Sequence, residues 1–187
     1  MAEKDLPKRK GTRWQGYDYG LAGMYFVTIC VRDRRPILSE ITVKDNDDEV
    51  GEGLAPPAIL DRSFMCANVV LKPCGEIAKE QLLALEKRYT GLKISDYVIM
   101  PEHIHAIIIV PEGAGGASPS PTLNDVICAF KSITSKMCKE KCGVEKMFQR
   151  SYFDHIIRDA DDCRKHKNYI SDNPRKRLLE EDNSEDE

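Results

Sequence analysis

The sequence predicts an α+β protein: a ferredoxin-like split βαβ sandwich with an antiparallel sheet, helices on one face, and a C-terminal helix that carries a tyrosine. Three observations lead there. Some segments alternate apolar and polar residues at strand period, and others repeat apolar residues at helical spacing. Their order along the chain is strand, helix, strand, strand, helix, strand, which is the split βαβ pattern. One more helix then follows, and no segment repeats another.

The first twenty residues are basic and punctuated by glycine and aromatics, an arm more than an element. Tyr25–Arg32 (YFVTICVR) alternates and is rich in β-branched and aromatic residues, hence a strand, which Asp33–Pro36 closes. From Ile41 to Pro57 the chain is acidic and then rich in Gly and Pro, the composition of a loop insertion. Ala58–Val70 is ambiguous, a short strand followed by a helix start. Gly75–Tyr89 places Ile77, Ala78, Leu82, Leu83 and Leu85 among strong helix formers, an amphipathic helix. Lys93–Met100 and His103–Val110 are two strands around Pro101-Glu102, a hairpin. Glu112–Pro121 is a connector. A helix from Thr122 to about Lys141 follows, striped by Leu123, Val126, Ile127, Phe130, Ile133 and Met137, and Gly143 ends it. Ser151–Arg158 is the last strand. Asp159 or Asp161 caps a final helix over Asp162–Asp172, with Pro174 helping to stop it. The expected organisation is an arm (1–20), one domain (21–178) with an acidic insertion at 41–57, and an acidic disordered tail (179–187).

With 187 residues the chain can bury one core without a second domain. Its N-terminus has no apolar run of the secretory kind, and its longest apolar run, Ala106–Val110, is strand-sized. Seven scattered cysteines without a CxxC pair point to reduced thiols in the cytoplasm. Cys138 and Cys142 could share a helix face as ligands, but a pair of small half-buried residues is the simpler reading. Net charge is −3, yet Glu180–Glu187 holds six acids and no base, so the rest of the chain carries +3. Setting aside Glu40–Glu52, six acids against Lys44, leaves a body at +8. Basic clusters at Lys8–Lys10, Arg32–Arg35, Arg164–Lys167 and Arg175–Arg177 permit a phosphate-bearing partner without demanding one.

His103-Ile104-His105 is the sharpest local feature. Strand side chains two residues apart share a face and sit roughly 6.5–7 Å apart along the backbone. Two imidazoles there can converge on one ion while Ile104 packs on the opposite face. On spacing alone, two half-exposed strand histidines fit as well. Tyr169 lies on the last helix. A phenol with a reference pKa of about 10 needs a metal or cationic neighbour to act as a nucleophile. Asn173, one turn on, can face the same way, although preceding Pro174 disfavours helical geometry there; Asp172 is the alternative third ligand. Tyr152 competes with Tyr169 as nucleophile. Arg150, Tyr152, His155 and Arg158 are candidate phosphate or base contacts, and His155 could equally be a hydrogen-bonded packing histidine. In the arm, Arg13 and Trp14 could meet unpaired bases or anchor to the core.

Several of these pieces occur together and in order: Tyr-Val-Ile-Met-Pro-Glu-His-Ile-His (97–105), Phe130-Lys131-Ser132, the stretch from Phe148 to Arg158, and Tyr169-Ile170 followed by Asn173-Pro174. Together they resemble the single-tyrosine HUH transposases of insertion sequences, and more closely the REP-associated tyrosine transposases. The resemblance covers roughly Tyr25 to Pro174, outside the insertion. It implies a metal-dependent endonuclease and strand transferase for single-stranded DNA that recognises an imperfect hairpin and forms a 5′-phosphotyrosine intermediate. On that resemblance His103 and His105 are the metal histidines, Asn173 completes the metal site, Tyr169 is the nucleophile and Mg²⁺ or Mn²⁺ is the ion. A donor set of two imidazoles and an amide leaves phosphate oxygens and water to fill a Mg²⁺ shell. The acidic insertion and tail depart from the family pattern. Monomer and homodimer both stay open, with the tyrosine acting in cis or in trans. Two other functions compete: a catalytically idle hairpin-binding protein of the same fold, and an RNA-binding ferredoxin-like module. The latter expects aromatic pairs on the central strands, where only Tyr97 is found.

Overall fold

A computed structural model describes residues 22–43, 67–112 and 121–184, with side chains to Glu180. Its elements are β1 (Gly23–Cys30), β2 (Ser39–Val43), β3 (Ala67–Leu71), α1 (Pro73–Arg88), β4 (Lys93–Ile99), β5 (His103–Val110), α2 (Leu123–Cys142), β6 (Phe153–Ile157) and α3 (Ala160–Ser184). The main sheet runs in the order β4-β5-β1-β6 with every pairing antiparallel. Without the β2–β3 ribbon this is the expected split βαβ topology.

Alternation along the central strands sorts their residues into two layers. Tyr25, Val27 and Ile29 of β1 and Ile104, Ala106 and Ile108 of β5 are fully buried with Leu82 of α1 and Val126 and Ile127 of α2. The other face holds a smaller apolar layer of Val98, Met100, Ile107 and Ile157 with Ile170 of α3. So α1 and α2 cover one face and α3 lies on the other, against β4 and β5 and reaching the ribbon. Odd positions of β5 therefore point at α3, and these include both histidines.

Helix ends follow local chemistry. Thr122 and Asp125 form a reciprocal capping box, with Asp125 N–H donating to Thr122 Oγ1 at 3.2 Å and Thr122 N–H to Asp125 Oδ2 at 3.0 Å. Gly143, at φ 67°, ends α2 in the left-handed conformation that glycine adopts without strain. Asp159 caps α3 through a 2.8 Å bond from Asp162 N–H to its Oδ1.

Two expectations fail, each because long-range contacts override local composition. First, Ile41–Val43 are not loop: they pair with Ala67–Asn68–Val69 in the β2–β3 ribbon, which also makes the end of Ala58–Val70 strand where a helix start was expected. Their β-branched residues suit a strand, and the acidic run after them masked that signal. Residues 44–66, with most of the expected insertion, lie outside the described residues, as do the arm and 113–120 of the connector. Second, α3 does not stop near Pro174 but continues to Ser184, so residues 179–184 of the expected tail are helical. A proline inside a helix removes one backbone hydrogen bond. Here Ile170 and Pro174 are themselves buried, and Arg177 beyond them reaches Glu102 at 3.4 Å, so packing on the sheet continues past the break.

The turn before β5 is tied to the rest of the fold. Leu38 N–H donates to the Pro101 carbonyl at 3.0 Å, and buried Ser39 Oγ donates to the Ile99 carbonyl at 2.8 Å. Gly75 of α1 packs directly on Leu38, where an added Cβ would lie 1.8 Å from the Leu38 carbonyl oxygen. Backbone atoms cannot swing aside as a side-chain end can. Gly75→Ala is expected to destabilise the protein by about 3 kcal/mol, the upper end of ordinary overpacking costs, measured by denaturant unfolding. A variant within about 0.5 kcal/mol of wild type would contradict this packing.

Candidate functional site

The antiparallel register sets Thr28 opposite His105 and Cys30 opposite His103. Both imidazoles lie on the α3 face, with ring centroids 4.4 Å apart and planes at 68°, while Ile104 between them is fully buried on the other side. His105 Nδ1 is 2.9 Å from Thr28 Oγ1. If Nδ1 carries the proton and donates to Thr28, Nε2 keeps its lone pair. His103 Nδ1 is buried and has no hydrogen-bond partner; Glu102 Oε1 stands 3.4 Å away without completing one. With Nδ1 facing the Glu102 carboxylate, Nε2 is the ring nitrogen left to offer a lone pair to an ion beside the second imidazole.

Electrostatics keep both rings neutral. Burial pushes His105 down to about 3, helped by the neighbouring His103 and by Arg34. Burial also lowers His103, with Glu102 opposing and Arg34 and Arg177 assisting. Neutral imidazoles are the ligating form. In the folded state His105 resists protonation while the unfolded chain takes it up near the usual value of about 6.5. The native state thus binds fewer protons over that interval, and stability falls as pH drops from about 6.5 towards 3. In chelator, the melting temperature is expected to decline across this window, and His105→Gln is expected to flatten the decline. An equal decline in both proteins would rule out His105 as a source.

The last helix brings Tyr169 to the pair. Its ring centroid is 5.1 Å from that of His105 and 5.9 Å from that of Phe26, and the residue is 41% exposed. Tyr169 borders two cavities. One, of about 330 Å³, includes Phe26, Thr28, His105 and His166. The other, of about 240 Å³, includes Glu102, His103, Asn173, Lys176 and Arg177. Asn173 sits inside a continuous helix, not beyond its end, and so borders the same cavity as His103 and Tyr169. Asp172, the alternative ligand, is exposed and lines neither cavity. Lys176 Nζ lies 5.4 Å from the Tyr169 ring centroid, placing a positive charge beside the phenol.

The remaining candidates do not gather here. Tyr152 is 6% exposed and packs in the core layer covered by α1 and α2, on the far side of the sheet from the histidines. With Arg150 it borders a separate cavity of about 440 Å³ beside Lys131 of α2. Lys131 Nζ donates to the carbonyls of Arg150 (3.0 Å) and Ser151 (3.3 Å), holding the chain that leads into β6. His155 is on the α3 face, half exposed, with its Nε2 2.9 Å from Asp162 Oδ2. Arg158 is exposed at the β6–α3 turn, and Arg13 and Trp14 lie outside the described residues. Sequence reasoning missed Phe26, Thr28, Glu102, His166 and Arg177. Strand alternation could have found Phe26 and Thr28, which fall between the buried odd positions of β1. Helical spacing from Tyr169 could have found His166 and Arg177, at minus three and plus eight.

No protein-family model matches the chain. A REP-associated tyrosine transposase of Escherichia coli (strain K12) is 32% identical over 88 residues, 47% of each chain, so the likeness spans about half of either protein. An uncharacterized protein of Haemophilus influenzae is 23% identical over 181 residues, covering 89% of this chain and 88% of its own. Among solved structures, a REP-associated tyrosine transposase bound to a REP hairpin superposes with a TM-score of 0.50 at 21% identity, over 83% of this chain and 68% of the other. That likeness concerns the fold. Among the described residues, no helix is long and apolar enough to cross a membrane.

Proposed function

Because the chain resembles the REP-associated tyrosine transposases in fold and, over about half its length, in sequence, we propose that it is a single-tyrosine HUH-type endonuclease and strand transferase for hairpin-bearing single-stranded DNA. The observation that carries this reading is the convergence of His103, His105, Tyr169 and Asn173, from β5 and α3, on adjoining cavities. Those residues come from distant parts of the chain, and no single motif would place them together.

In this reading His103, His105 and Asn173 are the residues that would hold Mg²⁺ or Mn²⁺. When bound, the ion polarises the scissile phosphate and spreads its developing charge. Thr28 fixes the His105 ring and its tautomer, and Glu102, tethered by Arg177, stands behind His103 in the position of an orienting carboxylate. Tyr169 Oη attacks the phosphorus. The new P–O(Tyr) bond forms as the P–O3′ bond breaks, and the phenolic proton passes through solvent to the departing 3′ oxygen. The product is a 5′-phosphotyrosine and a free 3′-OH, and the conserved phosphodiester energy permits rejoining. Lys176 supplies positive charge near the phosphate during the attack.

The test uses the full chain with Mn²⁺ and single-stranded oligonucleotides carrying hairpins from the DNA that flanks its gene. The expected result is cleavage with a protein–DNA adduct that survives denaturing electrophoresis and is absent in chelator. Tight hairpin binding with no cleavage under any divalent ion would instead assign the catalytically idle binding protein.

A further inference from the structure

A second cluster of ligating side chains lies beside the His103–His105 pair, with His166 on the wall of the cavity that His105 and Tyr169 border. It comprises His155 of β6 with Asp162 and His166 of α3, the one group of three or more His, Cys, Asp or Glu side chains among the described residues whose ligand atoms all lie within 4.8 Å of one another. Asp162 and His166 are four residues apart, one helical turn, so they project from the same face of α3. His155 reaches them from the neighbouring strand, where the register sets it opposite Phe26. Asp162 Oδ2 is 2.9 Å from His155 Nε2, and its Oδ1 is 3.2 Å from His166 Nδ1. Ligand atoms around a tetrahedral Zn²⁺ at about 2.0–2.1 Å stand about 3.4 Å apart. The two rings now stack, with centroids 4.6 Å apart and planes at 23°, and His166 Nδ1 is 2.9 Å from the Asp162 backbone carbonyl, so binding requires the imidazoles to turn toward a shared point.

We propose that His155, Asp162 and His166 form a binding site for a zinc-class divalent ion, distinct from the candidate catalytic pair. Two imidazoles and one carboxylate suit Zn²⁺, Co²⁺ or Ni²⁺ better than Mg²⁺, which prefers an all-oxygen shell. The fourth position is left to water, since the cluster faces solvent: His155 is half exposed. Binding replaces the contacts that now join Asp162 to the rings, each ligating nitrogen presenting its lone pair while the ring proton sits on the other nitrogen. The consequence is mechanical. The ion would pin the first turns of α3 to β6, and the same helix carries Tyr169 one turn beyond His166, whose ring also packs at 4.6 Å on Phe26. The site would stiffen the helix that presents the tyrosine without touching the reacting atoms.

The experiment uses the full chain with His103→Ala and His105→Ala, stripped of metal, so that the other pair cannot bind. Zn²⁺ is titrated by calorimetry and Co²⁺ by its visible absorption, and thermal melts are recorded with and without Zn²⁺. The expected result is one equivalent of Zn²⁺, a tetrahedral-type Co²⁺ spectrum and a raised melting temperature. Adding His155→Gln or, separately, His166→Gln is expected to weaken Zn²⁺ by more than about 100-fold, beyond the cost of disturbing an outer-shell partner. Both variants keep a hydrogen-bonding side chain, His155 at a half-exposed position and His166 at one packed on Phe26 and His155, and their melts in chelator report that they fold. No Zn²⁺ bound in the double-alanine protein, or affinity unchanged within about twofold by either glutamine, would overturn the site and leave a hydrogen-bonded latch.

Discussion

Replacing Tyr169 with phenylalanine is expected to abolish the covalent protein–DNA adduct and to lower strand cleavage by at least about 10⁴-fold, the scale on which a missing nucleophile is felt. The substitution removes one oxygen. The ring keeps its edge contacts with His105 and Phe26, and the residue is 41% exposed, so neither the fold nor hairpin affinity should move. Tyr152→Phe is the matching control. Tyr152 is buried in the layer between the sheet and α1/α2, so its hydroxyl cannot reach a phosphate held by the histidines. It is expected to leave adduct formation intact. An adduct that persists in Tyr169→Phe and disappears in Tyr152→Phe would reverse the assignment.

The His103→Ala/His105→Ala double variant should separate chemistry from recognition. Without both imidazoles the ion has only the Asn173 side, and cleavage is expected to drop by on the order of 10³-fold or more, exceeding the loss of a single charge-stabilising donor. Hairpin affinity in chelator is expected to stay within about threefold of wild type. His105 is buried and His103 is partly covered beside α3, neither spread over a basic surface, so they contribute little to phosphate attraction. A parallel loss of affinity and cleavage would mean that the histidines shape the DNA surface and do not serve as ligands.

What could be read in advance from the chain follows a physical divide. The core strands and the first two helices announced themselves because alternation and helical spacing are local, and their packing agrees with the local pattern. Pairing of Ser39–Val43 with Ala67–Leu71 spans 44–66 and is decided by contact, so composition could not reveal it. The same holds for α3, where buried Ile170 and Pro174 and the Glu102–Arg177 contact outweigh the proline's local cost. At the candidate site, the shared face of His103 and His105 followed from strand geometry alone. Spacing said nothing about which tyrosine would face them, because that depends on α3 crossing the side of the sheet opposite α1 and α2. Alternation puts Thr28 on the face opposite the buried odd positions of β1, but only the β1–β5 register sets it against His105, and Glu102 acquires its role only when Arg177 arrives from α3.

On the proposed function, Tyr169 forms the covalent bond to DNA beside His103 and His105. The most direct measurement is peptide mapping by mass spectrometry of the adduct formed with Mn²⁺ and a hairpin-bearing oligonucleotide, after nuclease trimming. The expected result is a nucleotide remnant on the peptide containing Tyr169 and on no other tyrosine. A remnant on Tyr152, or on any residue outside α3, would contradict it.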